Sequence, residues 1–498
     1  MARIVVIGAG VGGLSAAARL AALGHQVTVC EQAPEVGGKL GLHERDGFRF
    51  DTGPSLLTMP HLLRELFDDT GSTLDEAVTL RPVVPIAHYR FADGAELDST
   101  GDLDAFAATL DDVLAPGSGA DWRRIMARAE QIWAATHEDF LESALEGSRT
   151  LLRQATRVGD LRTVAPWTTL RGLGRRYLRD PRLRMLLDRY ATYTGSDPRR
   201  APAALAVVPW VEQTFGGWYV EGGLSRIGEA IRDRVLERGA VVRTGADVVE
   251  VRIEGGRVRG VRLADGELLP ADLVVANADA THLYRDLVSD PRTAAVRRRL
   301  ARATPSLSGF VLLLGLRGRT PDLAHHTVLF PRNYDAEFDS LFGATPRPVL
   351  DPTIYLSVPT DAAIAPPGHE AWFVLVNAPR QGQAGRDGPV VDWGAPGVAD
   401  AYAEHLLDLL RDRGHDVRER IVSRTLISPV DLERRTRAVG GAIYGTSSNG
   451  VRAAFLRPAN RSPVPGMYLV GGSAHPGGGL PLVLLSARIV AGLVGPAG

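Results

Sequence analysis

The first residues of the chain hold a strand, turn and helix pattern that restricts the fold more than any other feature. Residues 4–7 are β-branched and apolar, which is typical of a parallel strand covered on both faces. Glycines follow, and an Ala-rich helix is predicted over residues 14–23. Gly8 allows a tight turn, Gly10 lets the backbone approach a diphosphate, and Gly13 lets the helix pack on the strand. The diphosphate would bind at the N-terminus of the helix. The candidate cofactor-binding residues of this turn are Gly8, Gly10, Gly12 and Gly13.

The second predicted strand supplies an acid at the position that a ribose would need. This strand covers residues 26–30 and ends at Glu31, whose carboxylate would accept a hydrogen bond from an adenosine ribose hydroxyl. An acid there favours an unphosphorylated ribose, so FAD or NAD rather than NADP. The alternative is a glycine turn in an ordinary α/β domain, with Glu31 at a solvated strand end. The order of strand, turn, helix, strand and acid favours a dinucleotide site.

The residues after Glu31 distinguish FAD from NAD. An NAD-dependent dehydrogenase would normally continue to a third strand. Here a second glycine pair, Gly37-Gly38, precedes Lys39, and the stretch 47–55 follows. We interpret this region as a loop whose bare backbone lies along an extended dinucleotide, which favours FAD. The alternative is a surface turn that carries one cation.

Composition sets the limits of the remaining interpretation. A chain of 498 residues is expected to form two or three domains, and 45% hydrophobic with 23% charged residues is ordinary for a globular protein. The net charge of −1 gives no general attraction to nucleic acid. Cys30 is the one cysteine, and the first strand begins near residue 3, so we expect a cytoplasmic protein without a secretory leader. No apolar run is long enough to span a bilayer, and no metal site is predicted.

The pattern along the chain predicts a discontinuous first domain. Helices are expected over 59–67, 103–114 and 121–136, then a helix over 225–239 with strands over 240–243, 248–253, 258–263 and 272–276. A mixed or antiparallel sheet is expected from strands over 309–316, 353–358, 371–376 and 420–427, with a helix over 398–413. The predicted parts are 1–85, 205–280 and 441–498 for the FAD-binding domain, 86–204 for a helical insertion and 281–440 for the substrate-binding domain.

A basic segment within the insertion has two interpretations. Residues 149–189 carry many arginines interleaved with leucines and Trp167. Such a segment can lie at the surface of an anionic membrane, with guanidinium groups among the head groups. It can equally form helices whose apolar faces lie in the core, and the segment alone favours this second interpretation.

The end of the chain returns to the nucleotide pattern. A strand over 467–470 precedes the glycine-rich stretch 471–481, and a helix is predicted over 482–494. Pro481 suits a first helical turn, and the glycines before it leave N–H groups free. Such a helix terminus stabilises the negative charge that a reduced flavin develops. A loop that merely caps a hydrophobic C-terminal helix is the alternative.

Three C-terminal stretches, 455–463, 466–472 and 475–481, resemble the bacterial and fungal type of phytoene desaturase. This family of FAD-dependent carotenoid desaturases, with oxygenase and ketolase relatives, lies within the flavin amine oxidase superfamily. The likeness extends over the whole chain, since the first glycine motif, residues 50–54 and residues 222–224 fall in family order. One departure from wider flavoproteins is Gly472, which stands where an acid often binds the ribityl chain. The resemblance implies an α/β fold with a Rossmann-like FAD-binding domain, a mixed-sheet substrate domain and a helical membrane-facing insertion.

The resemblance also implies roles for individual residues. Gly8, Gly10, Gly13 and Glu31 would bind the ADP half of FAD, and Val248 with Val249 would meet the adenine through their backbone. The residues implied around the diphosphate, the ribityl chain and the flavin ring are Gly37, Gly38, Lys39, Gly53, Pro54, Gly472, Ser473, Gly478, Gly479 and Leu480. His475 is the first catalytic candidate, as a base or a hydrogen-bond partner of the flavin, although a histidine that holds its own loop is an equal alternative. Asp51 and Glu221 are weaker candidates.

The implied reaction removes two hydrogens from adjacent carbons of a C30–C40 polyene, one as hydride to flavin N5. The substrate would be a hydrophobic isoprenoid held by apolar burial, at about 0.8 kcal/mol per buried CH₂. Because such a substrate resides in a bilayer, segment 149–189 becomes the preferred membrane-facing portal of a peripherally attached enzyme. Rival hypotheses are a carotenoid oxygenase or ketolase, a polyene isomerase, and a non-catalytic prenyl-binding escort. The intact glycine motifs argue against the escort.

Overall fold

The computed structural model describes residues 1–145, 163, 167–383, 387–450, 453 and 457–498. The strands are β1 Arg3–Ile7, β2 Gln26–Cys30, β3 Leu42–Arg45, β4 Phe48–Asp51, β5 Leu80–Pro82, β6 Ala87–Arg90, β7 Glu96–Ser99, β8 Trp218–Val220, β9 Val241–Arg243, β10 Val248–Glu254, β11 Arg257–Leu263, β12 Leu268–Pro270, β13 Leu273–Ala276, β14 Ser308–Arg317, β15 His326–Leu329, β16 Ile354–Ser357, β17 His369–Ala378, β18 Ile421–Ile427 and β19 Met467–Leu469.

The helices alternate with these strands along the chain. They are α1 Val11–Ala22, α2 Pro60–Asp69, α3 Leu74–Ala77, α4 Leu103–Val113, α5 Ser118–Thr136, α6 Leu170–Tyr177, α7 Pro181–Arg189, α8 Val207–Phe215, α9 Arg226–Glu237, α10 Ala280–His282, α11 Ala294–Arg302, α12 Tyr334–Phe342, α13 Val398–Asp412, α14 Pro429–Thr436 and α15 Leu480–Val494. Short 3₁₀ or π turns cover His137–Leu141, Tyr190–Thr194, Ala203–Ala206, Leu283–Leu287, Pro291–Thr293, Arg418–Arg420 and Val439–Gly441.

One sheet has five parallel strands, in the order β19, β13, β1, β2, β9. Its strands come from three separate stretches of the chain. Val6 of β1 pairs with Val275 on one side and Val29 on the other, so β1 lies between neighbours and is almost fully buried. Helix α1 packs on this sheet and against the C-terminal helix α15, so the first and last parts of the chain share one core. The apolar run of β1 is explained by this position.

The second large sheet has seven strands, in the order β18, β14, β17, β16, β15, β6, β7. Its central strands are antiparallel, and β14 pairs with β17 over ten residue pairs. Helix α13 covers one face, and the β3–β4 hairpin lies against the other, where Phe48 packs on Gly315. The predicted mixed sheet is therefore confirmed, and β14, β17, β18 and α13 lie within two residues of their predicted bounds.

Two strand pairs depart from the predictions. The stretch after Gly37-Gly38 is not only a loop, because it contains the hairpin β3–β4. The turn residues are Asp46-Gly47, both with positive φ, and an Asp-Gly pair between short strands is a recognised hairpin signal. Likewise β6 and β7 lie in the part of 86–204 that was expected to be helical, and β6 joins the large sheet parallel to β15.

The basic segment is described only in part, since residues 149–162 and 164–166 lie outside the described residues. In the described remainder, α6 and α7 turn Leu170, Leu183 and Leu187 into the core. Arg171 pairs with Asp188 and Asp335, and the nearby Arg179 and Arg182 also pair with carboxylates. The prediction that apolar faces of this segment lie in the core is therefore confirmed for α6 and α7. Trp167 remains 69% exposed.

Membrane-spanning helices were searched for in the described ranges. None of the helices in those ranges combines the length and the apolar character that crossing a bilayer requires.

Candidate functional site

The carboxyl ends of four parallel strands meet at one edge of the five-stranded sheet. Gly8 follows β1, Glu31 follows β2, Asn277 follows β13, and Gly471 lies two residues beyond β19. Ligands of open α/β sheets bind at this edge. The strand order therefore brings the N-terminal glycine motif and the C-terminal glycine-rich stretch to one place.

The turn between β1 and α1 is as compact as its glycines predict. Gly8 has φ +93°, and its N–H donates to the Cys30 carbonyl over 2.7 Å. A Cβ atom on Gly13 would overlap the Gly8 carbonyl oxygen. Gly10 is the N-cap of α1, no side chain caps this helix, and its first turn holds no acid. Its N-terminus is thus open to an anion.

The second glycine pair lies directly against the first motif. Gly37 donates its N–H to the Ala9 carbonyl over 2.9 Å and forms an isolated parallel β-bridge with Gly10. Both Gly37 and Gly38 have positive φ, and a Cβ on Gly38 would lie 3.2 Å from the Gly10 Cα. The two predicted motifs therefore form one surface of bare backbone.

Glu31 holds this surface in place. Its carboxylate is buried and accepts hydrogen bonds from Ala9 N–H over 2.6 Å and Ala33 N–H over 2.9 Å. An ionised carboxylate has further lone pairs, so it can still accept from ribose hydroxyls. The stretch that leads into β10 lies beside it, because Ala246 donates its N–H to the Glu31 carbonyl. Val248 and Val249 thus begin a strand next to Glu31.

Asn277 is a site residue that the sequence interpretation missed. A Cβ on Gly10 would lie 2.9 Å from its Nδ2, and a Cβ on Gly471 would overlap its Oδ1. The Asn277 side chain thus fills the space between the first turn and the C-terminal glycines. Its position one residue after a parallel strand was the available signal.

Arg457 organises the C-terminal half of the site. Its guanidinium is buried and donates to the carbonyls of Tyr444, Thr446 and Gly472 over 2.9 to 3.0 Å. Desolvation lowers the Arg457 pKa to about 10. Tyr444 in turn lies against Gly478, where a Cβ would come within 2.6 Å of its ring. One cation therefore ties the 444–446 segment to the glycine-rich loop.

Lys39 links the N-terminal loop to the same segment. Its ammonium donates to the carbonyls of Ala442 and Ile443. Burial lowers the Lys39 pKa to about 8, and the nearby Asp279 carboxylate opposes the fall. Gly53 packs on the Lys39 carbonyl, so no side chain would fit at Gly53.

The remaining predicted residues of the C-terminal loop lie between α15 and the end of β13. Ser473 Oγ accepts from the Ala280 N–H over 2.9 Å, which anchors the loop to the residues that follow β13. Gly479 is the N-cap of α15, with φ +104° and no side-chain cap. Helix α15 begins at Leu480, and Pro481 lies in its first turn. A second uncapped helix terminus therefore lies next to the site.

Asp51 occupies a capping position. Its two carboxylate oxygens accept from the N–H groups of Leu224 and Ser225 over 2.7 and 2.8 Å, at the start of α9. Desolvation raises the Asp51 pKa, and these hydrogen bonds oppose the rise. Glu221 pairs with Arg81 at the surface. These contacts favour structural roles for both acids.

His475 is almost fully buried in the C-terminal loop. Its Nε2 hydrogen-bonds to the Ser143 carbonyl over 3.0 Å, and its ring meets Phe140 edge-on. Asn460 and Ser486 both donate to the His475 carbonyl over 2.8 Å. Desolvation lowers the His475 pKa to about 4, so the ring is neutral near neutral pH. This geometry favours a role in holding the loop.

A small, mainly apolar pocket with a cavity volume of about 30 Å³ opens between the β3–β4 hairpin and the large sheet. Phe50, Ile364 and Phe373 form its walls, with Tyr219 and Ser55 as polar members. It also reaches Asp51 and Gly223. Asp51 lies two residues before Gly53, which packs on the Lys39 carbonyl. The pocket therefore adjoins the region between the two glycine loops.

The sequence pattern of the flavin-containing amine oxidoreductases matches residues 11–387. The chain belongs to this family. Among relatives of this flavoprotein, it is 35% identical to a 4,4'-diapolycopene oxygenase of Methylomonas sp, over 98% of this chain and 97% of the relative. It is 34% identical to a zeta-carotene-forming phytoene desaturase of Myxococcus xanthus, over 98% and 93%. It is 33% identical to a 1-hydroxycarotenoid 3,4-desaturase of a Flavobacterium species, over 99% of both chains. The predicted resemblance to carotenoid desaturases is confirmed.

Solved structures agree with the family assignment at the level of the fold. An oxidoreductase of Methanosarcina mazei superposes with a TM-score of 0.63 at 18% identity, covering 98% of this chain and 99% of its own. A cyclohexylamine oxidase of Brevibacterium oxydans gives 0.62 at 15% identity, covering 99% of each chain. The flavin amine oxidase-like α/β fold is thereby confirmed.

FAD is the cofactor of this flavoprotein, and the residues at the sheet edge fit it. Two helix N-termini without side-chain caps, those of α1 and α15, suit the diphosphate and the electron-rich edge of the flavin. Glu31 retains acceptor capacity for the ribose. The glycine surface of Gly10, Gly37 and Gly38 leaves room for a cofactor where side chains would close it.

The buried His475 predicts a defined loss of stability in acid. Its folded-state pKa of about 4 lies below the ordinary value near 6.5, so only the unfolded state gains the proton between those values. Stability falls as pH drops from about 6.5 to 4, by up to about 3 kcal/mol for this group. His475→Asn keeps an N–H donor and removes the titration. Urea unfolding between pH 7 and 4 should show a shallower loss in the variant, and equal losses would contradict the assignment.

Proposed function

We propose that the chain is an FAD-dependent carotenoid desaturase, which introduces C=C bonds into a C30–C40 polyene. The observation that carries the proposal is the likeness at 33–35% identity, over nearly the whole chain, to proteins named as carotenoid desaturases and oxygenases. When bound, FAD accepts a hydride, and the second hydrogen leaves as a proton.

The chain's own residues supply binding and positioning in this proposal. The apolar walls Phe50, Ile364 and Phe373 bury a hydrocarbon and exclude water. Asp51 and His475 are both held by hydrogen bonds to backbone groups, which does not suit a mobile acid or base. A reaction in which allylic stabilisation eases hydride loss requires positioning more than proton transfer.

A carotenoid oxygenase is the second candidate, because the relative at 35% identity bears that name. Product analysis distinguishes the candidates. In a host that makes phytoene and partly desaturated polyenes, a desaturase gives products that lack two hydrogens per step and absorb at longer wavelength. Products that gain oxygen would favour the oxygenase, and products of unchanged mass an isomerase. FAD-loaded protein that changes none of these polyenes would overturn the proposal.

We also propose that the enzyme attaches peripherally to a membrane surface through segment 149–189. In its described part, Trp167 is largely exposed, and Arg175 and Arg176 of α6 are exposed and make no ion pair with a described residue. An exposed aromatic beside unpaired guanidinium groups suits an anionic lipid surface.

Charge reversal tests the membrane proposal. Arg175→Glu with Arg176→Glu should weaken binding to anionic vesicles at least about tenfold, since each basic residue near such a surface contributes about 1 kcal/mol. A matched control reverses the adjacent exposed arginines Arg297 and Arg298 of α11. Binding should be measured by vesicle sedimentation, with FAD content as the check on folding. If both double variants bind as the parent protein does, segment 149–189 is not the attachment site.

A further inference from the structure

A buried cation lies in a cage of aromatic rings. Arg189 ends α7 and is 5% exposed. Its guanidinium carbon lies 4.9 Å from the centre of the Tyr193 ring, 5.6 Å from Tyr89, 5.8 Å from Tyr190 and 5.9 Å from Tyr355. Ring faces stabilise a guanidinium through cation–π attraction. They do not satisfy its N–H groups.

One nitrogen of the Arg189 guanidinium lacks an acceptor in the described part of the chain. Its Nη1 is buried and has no hydrogen-bond partner among the residues that the structure describes. No carboxylate in the described part of the chain lies within ion-pair distance of it. Glu212 is buried nearby, but its Oε1 accepts from the Tyr190 hydroxyl over 2.7 Å. The Glu212 carboxylate offsets part of the Arg189 charge, and because a buried donor without an acceptor is costly, Nη1 suits an oxygen acceptor from outside the protein, from water or from a ligand.

The cage lies where the apolar pocket approaches the flavin loop. The Tyr355 hydroxyl shares a 2.6 Å hydrogen bond with Ser55 Oγ, and Ser55 lines the pocket. Tyr444, the residue that packs on Gly478, also lies near Arg189. Burial raises the Tyr444 pKa to about 12, and the charge of Arg189 opposes the rise. Arg189 is therefore close to both the pocket and the loop.

We propose that Arg189 binds an oxygen atom on the end group of the substrate, so that the chain prefers polyenes with a hydroxyl or carbonyl at one end over pure hydrocarbons. This inference rests on the proposed function. The oxygen accepts a charge-assisted hydrogen bond from Nη1, while the polyene lies along the apolar walls. Because the cage adjoins the Gly478 loop, the bonds that are oxidised lie near the oxygenated end.

A titration of the wild-type holoenzyme tests the inference without any variant. The probes are an acyclic C40 polyene hydrocarbon and the same polyene with a terminal hydroxyl or aldehyde, and quenching of protein fluorescence gives each Kd. The oxygenated probes should bind roughly tenfold to a hundredfold more tightly, since a hydrogen bond from a charged donor is lost with the hydrocarbon. Equal affinity would overturn the inference while leaving the desaturase proposal intact. If no polyene binds to FAD-loaded protein, the proposed function fails and the inference with it.

A variant assigns the preference to Arg189. Arg189→Met should reduce the affinity ratio between oxygenated and hydrocarbon probes to about one. Arg199→Met is the matched control, because Arg199 also lies over a ring, that of Phe338, but has the carboxylate partners Asp197 and Asp339. The control should keep the wild-type ratio. A preference for oxygenated probes that persists in FAD-loaded Arg189→Met would overturn the assignment of that preference to Arg189. If the variant loses FAD, the wild-type titration remains the test.

Discussion

Gly13→Ala is expected to yield a protein that purifies without FAD. Residue 13 lies in the first turn of α1, and its new Cβ would overlap the Gly8 carbonyl oxygen and lie 3.0 Å from the Asn277 Cβ. Since both neighbours are held by the parallel sheet, α1 must move away from β1. Overpacking of this kind costs about 1–3 kcal/mol, and displaced N–H groups lose the diphosphate. The flavin absorbance per protein should fall at least about tenfold.

Gly492→Ala is the matched control for this substitution. Gly492 also lies within a helix, α15, but no atom lies within 4 Å of a Cβ built there. Alanine in an open helical position stabilises by about 0.5–1 kcal/mol. The control should therefore bind FAD as the parent does. Full FAD occupancy in Gly13→Ala would show that the tight strand and helix contact is not required.

Arg457→Met is expected to detach the C-terminal loop from its support. Three partly buried carbonyls, those of Tyr444, Thr446 and Gly472, would lose their donor. Each unsatisfied acceptor costs about 1–3 kcal/mol, which outweighs the relief from no longer burying a guanidinium. We expect the temperature of FAD release, followed by flavin fluorescence, to fall by several degrees.

Arg461→Met provides the comparison, four residues further along the chain. Arg461 is exposed, and its guanidinium lies 5.6 Å from the centre of the Tyr468 ring. The loss of an exposed cation–π contact costs about 0.5–1 kcal/mol. Its FAD release should change little. If Arg457→Met also releases FAD at the parental temperature, the loop does not depend on Arg457.

Local patterns were sufficient to predict the strands, the glycine turn and the helix that form the N-terminal half of the candidate site. The apolar run of β1, the glycine spacing and Glu31 after β2 each carry their signal within a few residues, and the structure brings Gly10 and Gly37 together as neighbouring backbone. The return of the C-terminal residues to the first sheet was predictable for the same reason, because β19 and α15 flank a distinctive glycine-rich stretch.

Pairing between distant segments was not predictable in this way. Strands β6 and β7 have four residues each, and the parallel register of β6 with β15 joins parts of the chain more than two hundred residues apart. Asp46-Gly47 did carry a hairpin signal that the loop interpretation passed over.

The roles of single polar residues depended on tertiary contacts. Arg457 serves the site through neighbours that no local spacing reveals, whereas Asn277 carried a signal in its position directly after a predicted strand. The sequence makes Asp51 and His475 catalytic candidates because acids and histidines near glycine-rich loops often take part in catalysis. Their hydrogen bonds to backbone groups became visible only in the folded chain.

An anaerobic single turnover tests the central claim most directly. FAD-loaded protein is mixed with an equimolar C40 polyene, with the oxygenated and hydrocarbon forms in separate runs, and the visible flavin absorbance is followed while the product is analysed by mass spectrometry. The account predicts bleaching of the flavin in proportion to a product that has lost two hydrogens and gained one conjugated double bond. An unbleached flavin with unchanged polyene, or a product that appears only when oxygen is admitted and then contains oxygen, would contradict it.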